Sequence, residues 1–215
     1  MGQLSFYSAD ASPPRVADLA GALCGPGQVV GFGAGTAARL SVTLGQALGQ
    51  RWRALALASA FTERGIEAMV TPSDDGYQVR TAFRADLVGL ADAWSCGRTG
   101  ATATPVKSVP ERFTLNGVTL RLWALVAGCW SESGYLLGLD PASPRTHQPL
   151  VRALVRAGVS AAVLDEGDGG PALRVYGVRR LARLVELVGA APAGVPGHDW
   201  PAVVAGRRGR ASIGA

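Results

Sequence analysis

Two short stretches rich in alanine and glycine, far apart in the chain, most constrain how this sequence can fold. Residues 18–27 read DLAGALCGPG, and residues 125–134 read LVAGCWSESG. Each pattern predicts a short helix that stops at a glycine, because glycine adopts the backbone conformations that end a helix at little steric cost. The elements that follow each helix therefore decide which fold the sequence can reach.

The residues around the first stretch predict an alternating series of strands and helices. A strand at 4–7 precedes Ser12, which is suited to cap a helix and is followed by two prolines. That helix ends at Gly25, and the residue patterns beyond it predict four further groups. These are strands at 29–32 and 38–44, a helix at 46–64, a hairpin of strands 66–71 and 77–83, and a helix at 84–94.

The second half repeats this order after a segment without periodicity. Residues 95–116 begin with a polar run rich in Gly, Pro and Thr, which is typical of a linker. Beyond it the patterns predict helices at 118–132, 147–157 and 178–188, a strand at 135–139, and a hairpin of strands 159–164 and 173–176. This half is shorter, because only one strand is predicted between its first and second helices.

Residue pairs at fixed separations support an internal repeat. Gly21 and Gly128 lie 107 positions apart, as do Gly27 and Gly134. In the closing hairpins a separation of 94 pairs Arg80 with Arg174. The same separation pairs two leucines in the last helix of the first lobe with two in the last helix of the second lobe. The sequence thus divides into a first lobe at 1–94, a linker at 95–116, a second lobe at 117–190 and a basic C-terminal tail at 191–215.

Composition narrows the classes of protein that fit. The net charge is +5, and Lys107 is the chain's one lysine among many arginines, a balance that permits nucleic-acid binding without requiring it. The three cysteines form no CxxC pair and the histidines number two, so we expect no zinc site and a reducing compartment. With neither a signal peptide nor a membrane-spanning run in the sequence, we expect a cytoplasmic protein without a small-molecule cofactor.

The two opening stretches resemble a known motif. LAGALCGPG resembles the LAGLIDADG helix of homing endonucleases, and VAGCWSESG resembles its second copy. The resemblance implies an α+β fold of two pseudo-symmetric lobes packed through their first helices, with each lobe offering a curved antiparallel sheet to DNA. The small residues that would let the helices approach at this lobe interface are Ala20, Gly21, Ala127 and Gly128.

A closer likeness is to the N-terminal domain of the bacterial sporulation regulators named WhiA. TAARLSVTLGQALGQRWRALALA and LARLVELVGA resemble a strand-and-helix unit and the closing helix of that domain, which has a LAGLIDADG-type fold without nuclease activity. WhiA proteins also carry a helix-turn-helix domain. Because few residues follow Gly189 here, we do not expect that domain in this chain.

Catalysis in LAGLIDADG nucleases depends on an acidic residue just before the final glycine of each motif, which holds divalent metal ions. Those positions are Pro26 in the first copy and Ser133 in the second. Glu132 is one residue away, but one helical step rotates a side chain by about 100°. We therefore expect no metal ion, no catalytic residue and no enzymatic activity.

The sheets are where the resemblance places DNA. In strand 38–44, Leu40, Val42 and Leu44 alternate with polar residues, so one face of the strand is apolar and the other can form hydrogen bonds. The hairpins alternate in the same way, and Lys107 and the arginines of the GRRGR tail add positive charge. The residues predicted to contact DNA are Arg39, Ser41, Thr43, Gln78, Arg80, Lys107, Arg174, Tyr176, Arg207, Arg208 and Arg210.

Three functional hypotheses follow from the sequence. The first is a non-catalytic protein, regulatory or associated with the chromosome, that binds double-stranded DNA and possesses no nuclease activity. The second is a protein-interaction module, with a DNA-associated protein as partner, on the same scaffold. The third is a metal-dependent endonuclease whose acids are displaced. The polar residues also allow a simpler interpretation, because any half-exposed sheet needs a polar outer face.

Overall fold

The structure is a computed structural model that describes residues 8–9, 13–45, 51–74, 76–96, 106–165 and 170–203. The predicted strand at 4–7 lies outside the described residues, as do residues 46–50 at the start of the predicted helix 46–64. Arg207, Arg208 and Arg210 of the predicted tail also lie outside them.

The first lobe consists of three helices and a four-stranded antiparallel sheet. A single 3-10 turn at Val16–Leu19 leads into the first helix, and the Asp18 carboxylate accepts a hydrogen bond of 2.8 Å from the Arg15 backbone N–H, which caps that turn. The elements are α1 (Ala20–Cys24), β1 (Gln28–Phe32), β2 (Ala37–Leu44), α2 (Arg51–Thr62), β3 (Ala68–Ser73), β4 (Gly76–Thr81) and α3 (Val88–Trp94).

The second lobe also consists of three helices and a four-stranded antiparallel sheet, and a short pair of strands precedes it. Strands β5 (Ser95–Cys96) and β6 (Val106–Lys107) pair with each other inside the segment predicted to be a linker without structure. The lobe itself contains α4 (Gly117–Ala127), β7 (Gly128–Ser131), β8 (Gly134–Gly138), α5 (His147–Arg156), β9 (Ala162–Leu164), β10 (Ala172–Val175) and α6 (Val178–Val188). The Asn116 side chain caps α4 by accepting a bond of 2.8 Å from the Thr119 N–H.

The prediction of one helix over 118–132 is wrong. Helix α4 ends at Ala127, and Gly128 begins a strand that pairs with β8. A Cβ atom on Gly128 would lie 2.4 Å from the Ala124 carbonyl oxygen and 2.2 Å from the Tyr135 hydroxyl, so only glycine lets the chain leave the helix here. The second lobe therefore has two strands at this point, as the first lobe does, and the predicted difference between the halves disappears.

Strand pairing shows which positions of the two lobes are equivalent. The strand orders are β1-β2-β4-β3 and β7-β8-β10-β9. One outward-facing row of directly paired residues crosses each sheet, Gln28–Ser41–Arg80–Met69 in the first and Cys129–Leu136–Arg174–Ala162 in the second. The other complete row of the second sheet contains the fully buried Leu137 and Leu173. Arg80 and Arg174 are thus equivalent. Gly27, which precedes Gln28, corresponds to Gly128, so the predicted pairings of Gly27 with Gly134 and of Gly21 with Gly128 are both wrong.

The lobes are joined by the packing of α1 against α4. A Cβ on Gly21 would lie 2.2 Å from the Thr119 carbonyl oxygen and 2.7 Å from the Leu122 Cβ, and a Cβ on Gly25 would lie 3.1 Å from the Ala127 Cβ. Ala20 is also buried at this seam. A single apolar core runs from these helices into both sheets, so the fold is α+β with its two lobes packed through their first helices.

Residues after α6 pack on the second lobe up to at least Trp200, where the sequence predicts a basic tail. The Trp200 indole N–H donates to the Gly189 carbonyl, and the Trp200 carbonyl accepts from the Trp130 indole. The predicted tail therefore begins too early at 191. No helix in the described part of the chain is long and apolar enough to cross a bilayer.

The seam predicts a strong effect of one added methyl group. Gly21→Ala should destabilise the fold by about 1–3 kcal/mol, because the methyl group meets a backbone oxygen and the helices must separate. The matched control is Gly89→Ala in α3, where nothing lies within 4 Å of the added Cβ and higher helix propensity should leave stability equal or greater. Urea unfolding followed by circular dichroism measures both changes, and equal stability of the two variants would contradict the close approach.

Candidate nucleic-acid interface

The outer face of the first sheet carries the polar residues that the sequence predicts to contact DNA. In β2, Leu40, Val42 and Leu44 are buried against the helices, while the residues between them point away from the core. Gln78 and Arg80 of β4 lie on the same outer face as their partners in β2. The structure therefore brings together Arg39, Ser41, Thr43, Gln78 and Arg80.

This outer face holds arginines without acids. Three rows of residues paired across neighbouring strands point outward on this face. They are Gln28–Ser41–Arg80–Met69, Val30–Arg39 and Thr43–Gln78–Thr71. None of these described residues carries a carboxylate, and the acids next to the face that they form include Asp140, which accepts a hydrogen bond from the Gln28 side chain. Such a face attracts a polyanion and offers hydroxyl and amide groups for hydrogen bonds.

The equivalent face of the second sheet is less polar. Arg174 lies between Leu136 and Ala162 and donates to the Ser133 hydroxyl at 3.1 Å. The guanidinium carbon atoms of Arg174 and Arg180 lie 5.3 and 4.9 Å from the centre of the Tyr176 ring. Positive charge on this face is thus concentrated around one tyrosine rather than spread along the strands.

Lys107 is not part of either face, and its prediction as a DNA contact is wrong. Its side chain is 5% exposed and reaches the end of α1. The ammonium group donates to the carbonyls of Gly25 at 2.6 Å and Gly27 at 2.8 Å, and to the Asp140 carboxylate at 2.9 Å. Three oxygen acceptors thus match the three donors of an ammonium group, which leaves none for a phosphate.

Asp140, the partner of Lys107, accepts further hydrogen bonds. Asp140 also accepts a bond of 2.6 Å from the Gln28 side-chain amide and one of 3.0 Å from the Ala142 N–H. Burial is the largest influence on Asp140 and would raise its pKa, but the charge and hydrogen bond of Lys107, with the hydrogen bonds from Ser143 and Ala142, together hold the pKa below its ordinary value. Burial lowers the pKa of Lys107, and Asp140 opposes the shift. The pair connects β6, the first lobe and the second lobe.

A second buried cation lies at the end of the other central helix. Arg53 of α2 donates to the carbonyls of Leu125 at 2.7 Å and Ala124 at 3.3 Å in the last turn of α4. Burial lowers the pKa of Arg53, although a guanidinium remains protonated in proteins. Both central helices therefore end, at the negative end of the helix dipole, against a cation supplied by the chain itself.

The metal site implied by the LAGLIDADG resemblance does not fit these residues. The position before the final glycine is Pro26 in the first lobe, and the equivalence of Gly27 with Gly128 makes it Ala127 in the second. Ser133 and Glu132, placed on a helix by the sequence prediction, lie in the turn between β7 and β8. Among residues 13–45 and the other described ranges, no three His, Cys, Asp or Glu side chains come together as metal ligands.

Comparison with known proteins identifies the fold. No protein-family model matches this chain, and no curated protein matches it. The solved structures similar to it include the homing endonuclease I-WcaI bound to its DNA recognition sequence, with a TM-score of 0.54. The match covers 87% of this chain and 89% of that chain, at 11% sequence identity. The chain has the fold of a homing endonuclease.

Sequence reasoning misses the buried polar groups within this homing-endonuclease fold. The helical pattern places Arg53 on a solvated face, and no pattern singles out Asp140 or Gln28. One signal is present, since a lone lysine in a chain that otherwise uses arginine marks a site that needs a compact ammonium group. Nothing in the sequence identifies its partners, which lie 33 residues away at Asp140 and 80 residues away at Gly27.

Removing one partner of the buried Lys107–Asp140 pair should lower the free energy of unfolding substantially. Lys107→Met should destabilise the fold by about 3–5 kcal/mol, because Asp140 would remain buried without its cation. Adding Asp140→Asn to that variant should recover part of the loss. The control is Arg84→Gln at the exposed Arg84–Asp86 pair, which should leave the unfolding midpoint nearly unchanged. Additive effects of the two buried substitutions would show that the pair is not coupled.

The same pair predicts a change in acid stability. A pKa of Asp140 below its unfolded value of about 4 stabilises the fold above that pH, and the contribution is lost as the pH falls through the folded pKa. In Lys107→Met the buried carboxyl loses its cation and its pKa should rise above the unfolded value, so protonation should favour the folded state and this group's contribution to stability should increase as the pH falls. Urea midpoints measured across the acidic range test this, and parallel profiles for the wild type and the variant would refute it.

Proposed function

We propose that this chain is a non-catalytic DNA-binding protein that places the outer faces of its two sheets against duplex DNA. The observation that carries the proposal is the first sheet's outer face, where Arg39 and Arg80 lie among hydroxyl and amide side chains with no carboxylate in the paired rows. The equivalent arginine of the second sheet, Arg174, offers a second point of phosphate contact.

The similar fold of I-WcaI, a structure bound to its DNA recognition sequence, supports this use of the scaffold. The chain's net charge of +5 favours a polyanionic partner as well. Arginine suits phosphate contacts because its planar fork can donate two parallel hydrogen bonds. Each such contact adds affinity that does not depend on base sequence and that weakens as salt rises.

The ends of the central helices support the absence of catalysis. Phosphodiester hydrolysis assisted by metal ions needs carboxylates beside the scissile phosphate, and these two positions hold Pro26 and Ala127. Lys107 and Arg53 occupy the helix ends that would otherwise face a divalent ion. We therefore assign the chain a role in holding DNA, either in regulation as for the WhiA-like proteins it resembles or as part of the nucleoid in the cytoplasm.

Protein binding on the same scaffold is the second candidate. The exposed apolar residues Val30, Phe32 and Met69 on the first sheet favour it, because large apolar side chains on a surface are common at protein interfaces. A DNA-associated protein would fit this face as partner. DNA binding measured directly separates the two candidates.

Loss of two equivalent arginines should weaken DNA binding. We expect Arg80→Gln with Arg174→Gln to lower duplex affinity about tenfold or more and to reduce the slope of log K against log salt by about two, one for each arginine that no longer neutralises a phosphate. The control is Arg152→Gln on the exposed side of α5, away from the sheet face. Fluorescence anisotropy across a salt series measures both. Equal affinities for the wild type and the double variant would exclude these faces as the DNA site.

Absence of nuclease activity has its own test. Supercoiled plasmid incubated with the protein and magnesium should stay supercoiled at protein concentrations that saturate the DNA. A nicked product that disappears in Glu132→Gln, or in Asp140→Asn, would show that a displaced acid is active and would overturn the non-catalytic assignment.

A further inference from the structure

The first sheet contains an irregularity that re-aims an aromatic side chain. Strands β2 and β4 pair regularly at Ser41 with Arg80, and the next bridge joins Ala38 to Arg84. Two residues of one strand therefore face three of the other, which is a β-bulge. The Leu40 N–H donates to the Thr81 hydroxyl at 3.1 Å, which satisfies a donor that the bulge removes from the regular ladder.

The bulge places Phe83 beside Arg39 on the outer face. The Arg39 guanidinium carbon lies 4.6 Å from the centre of the Phe83 ring, and the Phe32 ring centre lies 5.0 Å from it. Phe32 is 62% exposed and Phe83 is 40% exposed. Two phenyl rings and a guanidinium group thus form one surface cluster, which we call the Phe32–Phe83 cluster, open to solvent at the end of the sheet.

The turn after Phe32 fixes the backbone next to this ring. The Thr36 N–H donates to the carbonyls of Phe32 and Gly33, at 3.2 and 3.1 Å. Ala34 within the turn has a φ of 54°, and it is the one residue other than glycine with positive φ in the described part of the chain. A non-glycine residue in this conformation is strained, and such strain is concentrated at functional sites.

The second lobe lacks the cluster. At the position equivalent to Arg39 it has Gly134, against which the Cβ of Tyr176 packs, and two guanidinium groups lie over the Tyr176 ring. The lobes are therefore alike in the equivalent Arg80 and Arg174 but differ at this end of the sheet. Only the first lobe, among the described residues, offers two phenyl rings that contact each other and are both exposed to solvent.

We propose that the Phe32–Phe83 cluster binds unpaired DNA bases by stacking, so that the preferred ligand is duplex DNA containing unpaired bases. This inference rests on the proposed DNA-binding function and narrows its substrate. An intact duplex presents phosphates and base edges but hides the base faces, so exposed phenyl rings gain little from it. Unpaired bases present their faces, and stacking on aromatic side chains is independent of sequence.

The surrounding charge favours nucleic acid over a protein as the occupant. Arg39 and Arg80 lie on the same outer face, and the paired rows there carry no carboxylate. Arg39 is held over a ring, where its guanidinium can contact a phosphate while the ring contacts the attached base. The cluster thus combines the two features that bind single strands, an aromatic platform and positive charge.

The test compares a fully paired labelled duplex with the same duplex carrying a short central run of mismatched bases, by fluorescence anisotropy. The wild type should bind the mismatched duplex about tenfold more tightly. Phe32→Leu with Phe83→Leu keeps the apolar surface but removes the rings, so this preference should vanish and the two DNAs should bind with equal affinity. Met69→Leu, at an exposed apolar residue of the same face, should keep the preference.

The outcomes separate this inference from the proposed function. Equal binding of the two DNAs by the wild type overturns base stacking and leaves the DNA-binding function intact. A preference that survives in the double leucine variant also overturns it, since the rings would then not be its source. Failure to bind either DNA removes the proposed function and the inference together, and leaves the exposed rings to a protein partner. Thermal unfolding should be unchanged in both variants, because the substituted side chains are exposed.

Discussion

The close approach of α1 and α4 is the constraint on which the rest of this structure depends. Both helices are short, and α1 has only five residues, too few to be stable without packing. Gly21 lets the backbones meet where any larger residue would strike the Thr119 carbonyl. Because each helix leads directly into the first strand of its own sheet, the position of the seam also sets where both sheets lie.

Hydrophobic periodicity predicts most of this architecture. The alternation of Leu40, Val42 and Leu44 with polar residues places β2 correctly, and the equivalence of Arg80 with Arg174 follows from spacing alone. The main error, the helix predicted over 118–132, has a physical cause. Residues 118–132 look helical throughout, because Gly128 and the apolar residues near it suit either a buried helix or a strand that is half covered. Tertiary contacts, above all that of Tyr135 with Gly128, decide between them.

The candidate site is predictable only where it follows local pattern. Outward polar residues on a strand are visible in sequence, so Arg39, Ser41 and Thr43 can be found. The burial of Lys107 depends on oxygens from Gly25, Gly27 and Asp140, which only the folded chain assembles. The position of Phe83 depends on a bulge, whose one extra residue leaves no trace in hydrophobic periodicity.

The location of Lys107 also bears on how the chain can rearrange. It belongs to β6, in the segment that joins the lobes, yet its ammonium group binds one lobe through two carbonyls and the other through a carboxylate. The connecting segment is thus part of the interlobe contact itself. Opening of the lobes about the seam would separate Lys107 from the carbonyls of one lobe or from the carboxylate of the other, so the connecting segment itself resists that motion.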